Sequence, residues 1–440
     1  MKVTGLKYKI AGIKNRSELS RRFFNGISWS LVGSIGGKML QLIAFMIVAR
    51  IVGKEDYGKI GIVRSTIMMF MIFSTFGLSG TATRYISMFR NIYPGKAISI
   101  YRFVTRGTLL LGVIVTSLII LFSQTIATTS MQDASLQYTL QIGAVSLLFL
   151  SLTATQNGIL NGFEDFKSIG IGSVFNGVIQ FILTLTGTLL WGIDGAIAGI
   201  TLSAFLYWIQ LRFAVKPNMR KLYDDSKNSV DHAGLFSIFI KFSLPSLLAS
   251  ITVIPVIWWT KTKLIEYSGY EEMAVFDVAE QWYYTLLFVP NALSGILLPL
   301  LTNTAVEGTD NQYKKLVKVN LYLNVVIAII LAAGTGIMAP AINKLYGKDF
   351  TNYMPMIIML VTAVFCAANN VLGQVIASKG RMWTGFALNS LWAVWLILFT
   401  YIFVVRLNIG ALGLSYAMLI SYILHSVTQG VVALRWNSKV

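Results

Sequence analysis

The stretch "NGISWSLVGSIGGKMLQLIAFMIVARIV", Asn25 to Val52, decides the fold. It exceeds the roughly 20 apolar residues that a helix needs to cross the hydrocarbon of a bilayer. Near its middle sits a full charge, Lys38. A charge at that depth costs roughly 2.5 to 3.5 kcal/mol on insertion scales, so it faces protein or water rather than lipid. Ser30, Ser34, Lys38 and Gln41 recur at helical spacing and form one polar stripe. Such a stripe faces either a wet cavity, where Lys38 and Gln41 would meet a substrate, or a neighbouring helix whose acid pairs with Lys38.

The rest of the chain repeats the pattern. Its 440 residues are 55% hydrophobic and 12% charged, with mean hydropathy +0.68, against roughly 25% charged in a soluble domain. Apolar runs parted by Gly, Pro or charged clusters predict an all-α polytopic membrane protein of about twelve helices. The predicted order is a basic N-terminus at 1–24, a six-helix bundle at 25–215, a linker at 216–234, a second six-helix bundle at 235–434 and a short tail at 435–440. The net charge of +18 would suggest nucleic acid in a soluble protein. Here Lys and Arg sit at helix ends, so nucleic acid is excluded as a partner. Cys366 is the only cysteine, which excludes a disulfide framework and a Cys-based metal site.

Orientation follows from where the cations fall. Lys2 to Arg22, Arg84 to Arg106, Lys216 to Lys227, Lys314 to Lys318, Lys379, Arg381 and Arg435 lie on one side. Far fewer, among them Arg50, Lys54, Lys59, Lys344 and Arg406, lie on the other. The positive-inside rule places both termini in the cytoplasm.

The two halves also match each other. "GLSG" at Gly77 falls on "ALSG" at Ala292, and Asn157, Gly172 and Asn176 fall on Asn370, Gly385 and Asn389. An even number of spans per half keeps both halves in one orientation, so two bundles could rock about a central cavity.

Further charges mark candidate interior sites. Arg64 shares a face with Met68, Met71 and Thr75, and it either lines the cavity or snorkels outward. Lys241 lies at the cytoplasmic end of the seventh span. Asp277 and Glu280 share a face with Gln281, Tyr284 and Asn291. The two acids either pair with Lys261 and Lys263 or exchange protons to couple transport to a gradient. Trp258 and Trp259 read as an interfacial belt, and Pro245, Pro255, Pro290 and Pro299 predict bends. His232 and His425 stand apart, and there is no phosphate-cradling loop, metal-ligand pair or nucleophile elbow. An enzyme is disfavoured, and no cofactor is implied.

The segment Asn25 to Ser87 resembles the opening helices of the polysaccharide transporter family, the O-antigen and exopolysaccharide flippases of the multidrug/oligosaccharidyl-lipid/polysaccharide exporter superfamily. The pieces that carry it are "VARIVGKEDYG" from Val48 to Gly58, Gly77-Leu78, "TRYIS" from Thr83 to Ser87, and "WGIDGAIAG" from Trp191 to Gly199. The length and span count fit along the whole chain. The resemblance implies a V-shaped cavity between two bundles in a bacterial cytoplasmic membrane. It also implies a substrate, an oligosaccharide repeat unit on a polyprenyl pyrophosphate. Lys38, Arg64 and Lys241 would meet the diphosphate, since anions crossing a low-dielectric region need cationic partners. Two other readings stay open. One is a small-molecule antiporter using Asp277 and Glu280. The other is a membrane scaffold for glycan polymerase and glycosyltransferases.

Overall fold

The computed structural model describes residues 33–225, 247, 251–307, 310–379 and 381–436. Lys241, Ser30, Pro245 and His232 fall outside the described residues. Within them every regular element is a helix. In chain order these are α1 (Gly33–Val52), α2 (Lys54–Thr75), α3 (Leu78–Phe89), α4 (Pro94–Leu121), α5 (Ser123–Thr129) and α6 (Leu136–Phe163). Then come α7 (Phe166–Asp225), α8 (Ile254–Glu307), α9 (Asp310–Tyr346), α10 (Met354–Ser378), α11 (Met382–Thr400, ending in a π-helical turn, Tyr401–Arg406) and α12 (Gly410–Trp436). Eight of the described helices are long and apolar enough to cross a membrane, or nine with the bent pair α2 and α3 taken as one span.

Two elements are hairpins of helices. The 60 residues of α7 break at Trp191 and Gly192, where the sequence places the boundary between spans. At 1.5 Å per residue such a length is far more than one crossing. Its arms fold together through "GAIAG": a Cβ on Gly195 would overlap the carbonyl oxygen of Gly187, and one on Gly199 would overlap that of Leu183. Only glycine lets two membrane helices approach so closely, and the close packing replaces the hydrophobic drive that lipid cannot supply. The second hairpin, α8, breaks at Gly269.

Several expectations need correction. The apolar run that follows Gly53 is not one straight helix: α2 and α3 meet at 45°. Phe76 and Gly77 both take left-handed backbone there, and glycine at the second place makes the turn affordable in steric terms. The seventh span does not end near residue 260 but runs on to Gly269, because Lys261 is buried against Glu280 and hydropathy alone undervalues a paired lysine. The Trp258 indole N–H turns inward and donates to Thr66 Oγ1 of α2 at 2.9 Å. The sixth span likewise continues as helix to Asp225. Leu211, Val215, Met219 and Leu222 keep the helical spacing and pack with Ile98 and Ile159 after the hydropathy has fallen. Proline bends are also not found where expected: Pro255 sits in the first turn of α8, where proline costs nothing, and the backbone stays helical through Pro290.

Residues before Asp225 and after Thr252 meet in one core. Val48, Tyr57 and Ile60 of α1 and α2 pack with Phe276 of α8, Tyr346 of α9 and Met359 of α10. A separate cluster joins α3, α4, α6 and the end of α7.

Candidate functional site

The contacts between the two halves gather at the end of the molecule that carries the turns at Gly53, Asp133, Gly269 and Gly347. Arg50 donates to the carbonyl of Lys344 at 3.0 Å, and Lys54 pairs with Glu271 at 3.2 Å. Gly58 lies against the backbone of Tyr270 so tightly that a Cβ would overlap its carbonyl oxygen, and the Tyr270 hydroxyl donates to the carbonyl of Met131. The Tyr57 ring sits edge-on to Tyr346 and Phe350, at 6.2 and 6.0 Å between centroids. The first turn of α2 and the first turns after Gly269 thus form a plug.

Below the plug, between α2 and α8, lies a cavity of about 620 Å³. Arg64 lines it and pairs across the halves with Asp277, at 3.5 Å. Its guanidinium also lies over the Phe45 ring, 4.0 Å from the centroid, a cation–π contact that holds the plane in place. Gln281 donates to Asp277 Oδ2 at 2.7 Å and to the Tyr57 hydroxyl, and it accepts from Tyr346 at 3.4 Å. A single chain of polar contacts therefore connects the cavity wall to the plug. On the opposite wall Lys261 and Glu280 are paired at 2.6 Å, their side chains only 6% and 9% exposed. Lys263 does not join them; it pairs with Glu266 one turn on. Of the two lysines the sequence offers as partners for these acids, Lys261 takes Glu280 from the first arm of α8, while Asp277 is paired instead by Arg64 of α2.

Arg64 also borders a second space of about 260 Å³, lined by Gln41, Asn176 and Gln180. Gln41 and Arg64 are therefore brought together, as the polar stripe of α1 anticipates. Lys38, one turn earlier on α1, reaches across to α8 and lies 4.4 Å above the Phe288 ring. Among the described residues it has no carboxylate partner within ion-pair distance. Those residues also contain no group of acids, His and Cys that would hold a metal.

Sequence reasoning missed a third space, of about 520 Å³, inside the second half. Its signal was present: Asn369, Asn370 and Gln374 on α10, with His425 and Gln429 one turn apart on α12, are amides and an imidazole at helical spacing in apolar spans.

Helical spans folded around a cleft lined by cations define a class, a multi-pass membrane protein with the fold of the MOP superfamily. An inward-facing multidrug resistance MATE family transporter of that superfamily superposes with TM-score 0.77 at 15% identity, covering 91% of this chain and 94% of that one. An outward-facing MATE structure gives 0.71 at 15% identity over 94% and 95%. A MOP superfamily transporter from Pyrococcus furiosus, described by the reverse polarity of its binding pocket, gives 0.70 at 14% identity over 94% and 95%. The chain belongs to the polysaccharide biosynthesis protein family, which it matches over residues 23–305. Among curated relatives it is 27% identical over 186 residues to the EPS I polysaccharide export inner membrane protein EpsE of Ralstonia solanacearum, and 27% identical over 188 residues to that of Ralstonia nicotianae. Each match spans 42% of the relative's length.

Proposed function

We propose that this protein is a flippase that carries an oligosaccharide repeat unit, linked to a polyprenyl diphosphate, across the bacterial cytoplasmic membrane. The observation that carries the reading is a cationic interior: Arg64 lines the cavity, and Lys38 on α1 has no acid within ion-pair distance among the described residues. A diphosphate head needs such partners in a low-dielectric chamber. An organic cation would need a free carboxylate instead, and Asp277 and Glu280 are held by Arg64 and Lys261, whereas Lys38 has no carboxylate partner among the described residues. Family membership and the export role in the relatives' names support the same substrate class.

With both termini cytoplasmic, the plugged end is the outer one, and the cavity is poised to accept substrate from the inside. Alternating access then works as a rocking of the bundles 25–215 and 235–434 about the α2 and α8 contact, with the Lys54 and Glu271 tie broken in the outward state. Asp277 and Glu280 are the carboxylates that a coupling proton would use, and Lys241, which the sequence puts at the cytoplasmic end of the seventh span, would add to the positive field. Lipids, a glycan polymerase and glycosyltransferases are the expected neighbours.

The test is flipping in reconstituted vesicles loaded with polyprenyl-diphosphate-linked glycan. Lys38→Met and Arg64→Met should each abolish transport while inserting normally. Undiminished flipping by both variants removes the cationic mechanism.

A further inference from the structure

Resting on the proposed function, we infer that the cavity inside the second half is a sugar-binding subsite, one that takes the hydroxyl groups of a neutral sugar of the glycan while Lys38 and Arg64 hold its diphosphate. The space is about 520 Å³, within the roughly 300 to 1,000 Å³ of small-molecule sites. Among the described residues no aspartate, glutamate, lysine or arginine lines it.

Its wall is made of polar atoms that lack partners. Asn369 Oδ1, His425 Nδ1, Gln429 Oε1 and Trp392 Nε1 are buried with no hydrogen-bond partner among the described residues. Their residues are no more than 5% exposed, and all four line the cavity. Buried polar atoms in native proteins are nearly always satisfied, and within a membrane bulk water does not serve them. The set is mixed: the two amide oxygens accept, the indole N–H donates, and the imidazole Nδ1 donates too, because its Nε2 accepts from the Gln429 amide at 2.9 Å. A metal cation would leave the donors unsatisfied, and an anion would leave the acceptors so. A hydroxyl both donates and accepts, and a sugar ring presents several.

Two further observations place the occupant. The cavity neighbours the cationic one: Val253 and Asn291 border it, while Ile254, next to Val253 in the chain, and Tyr284, two turns before Asn291 on α8, border the other. One ligand can therefore span both. The internal repeat also puts amides in equivalent places, since Asn389 lines this cavity and its counterpart Asn176 lines the space beside Arg64.

The experiment measures binding of two probes to the full-length chain in lipid nanodiscs: bare polyprenyl diphosphate, and the same lipid carrying a neutral hexose disaccharide. The wild type should prefer the glycosylated lipid at least tenfold. Asn369→Leu and Gln429→Met should each remove about tenfold of that preference, the scale of one hydrogen bond in a buried site, with affinity for the bare lipid unchanged and thermal stability not reduced. Arg64→Met should weaken both probes alike. Equal affinity of the wild type for the two lipids overturns the sugar site alone, as does a preference that the variants leave intact or variants that weaken both probes equally. A wild type that binds neither lipid overturns the proposed function together with it. Should Asn369→Leu fail to insert, Gln429→Met reads the same wall from α12.

Discussion

Replacing Asp277 by asparagine tests the link between the cavity and the plug. The carboxylate lies 3.5 Å from Arg64, whose side chain is 27% exposed against 7% for the acid. At an effective dielectric constant of about 20 the Coulomb attraction at that distance is about 5 kcal/mol. Desolvation of the acid and solvent screening of the arginine offset most of it, leaving about 1 to 2 kcal/mol of net tie between the halves. Asparagine keeps the size and an acceptor for Gln281 but loses the charge. The closed population at the plugged end should therefore fall by roughly 5- to 30-fold relative to the open one. Spin labels at Ala134→Cys and Lys348→Cys, exposed residues on opposite sides of the plug, would report this as a new long-distance population in pulsed electron resonance. Cys366, the free buried thiol, is first replaced by serine. A distance distribution identical to that of the parent would refute the idea that Arg64 and Asp277 hold the halves together.

Other expectations follow from single contacts. Lys261→Met strands Glu280 in a buried site and should cost about 3 to 5 kcal/mol, whereas Lys261→Met with Glu280→Gln should recover most of it; thermal unfolding in detergent reads both, and equal losses in single and double variants contradict the pairing. Gly195→Leu places side-chain atoms on the Gly187 carbonyl, so the protein should fail to accumulate in the membrane, while Gly192→Ala, with open space around it, should accumulate at a reduced level set only by its left-handed backbone. The Asp133 carboxyl between α5 and α6 is pushed up by burial, but hydrogen bonds from Ser135 and the charge of Lys59 together bring it below the usual carboxylate range. A lowered folded pKa stabilises above the unfolded value, roughly 3.9, and is lost as pH falls through the folded one. The stability that Asp133→Asn loses relative to the parent, read by thermal unfolding in detergent, should thus be constant from about pH 5 to 8 and disappear only below about 4; a difference that changes between pH 5 and 7 would assign the contribution to another group.

What was legible in the sequence was whatever a single helix can express. Length and hydropathy disclose the spans, glycine at Gly192 marks a turn, and the spacing of Lys38 and Gln41 gives the face of α1 that meets the cleft. What escaped depends on a second helix. Nothing in α2 says that Arg64 meets Asp277, and nothing near Trp259 says that the helix continues, since Lys261 and Lys263 look alike until Glu280 takes one and Glu266 the other. The bend at Phe76 was hidden because phenylalanine seldom takes a left-handed conformation. The amides of the second half were visible as polar residues, but only their convergence on one cavity separates them from packing groups.

Placing one arginine in both the cavity wall and the tie between the halves has a mechanical consequence for the proposed transport. A ligand shifts a conformational equilibrium only by its difference in affinity for the two states. A diphosphate entering the cavity would compete with Asp277 for Arg64, so its binding would release the same contact that keeps the plug shut. Gln281, bonded to both Asp277 and Tyr57, carries that release toward the aromatic cluster with Tyr346 and Phe350. A substrate lacking the diphosphate would leave Arg64 paired and the plug closed, so selectivity for phosphorylated lipid and the timing of opening would come from one interaction. The prediction that separates this coupling from mere anion binding is that Gln281→Leu should leave affinity for polyprenyl diphosphate nearly unchanged while slowing its flipping. Equal losses of binding and transport in that variant would mean that Gln281 serves the site and not the opening.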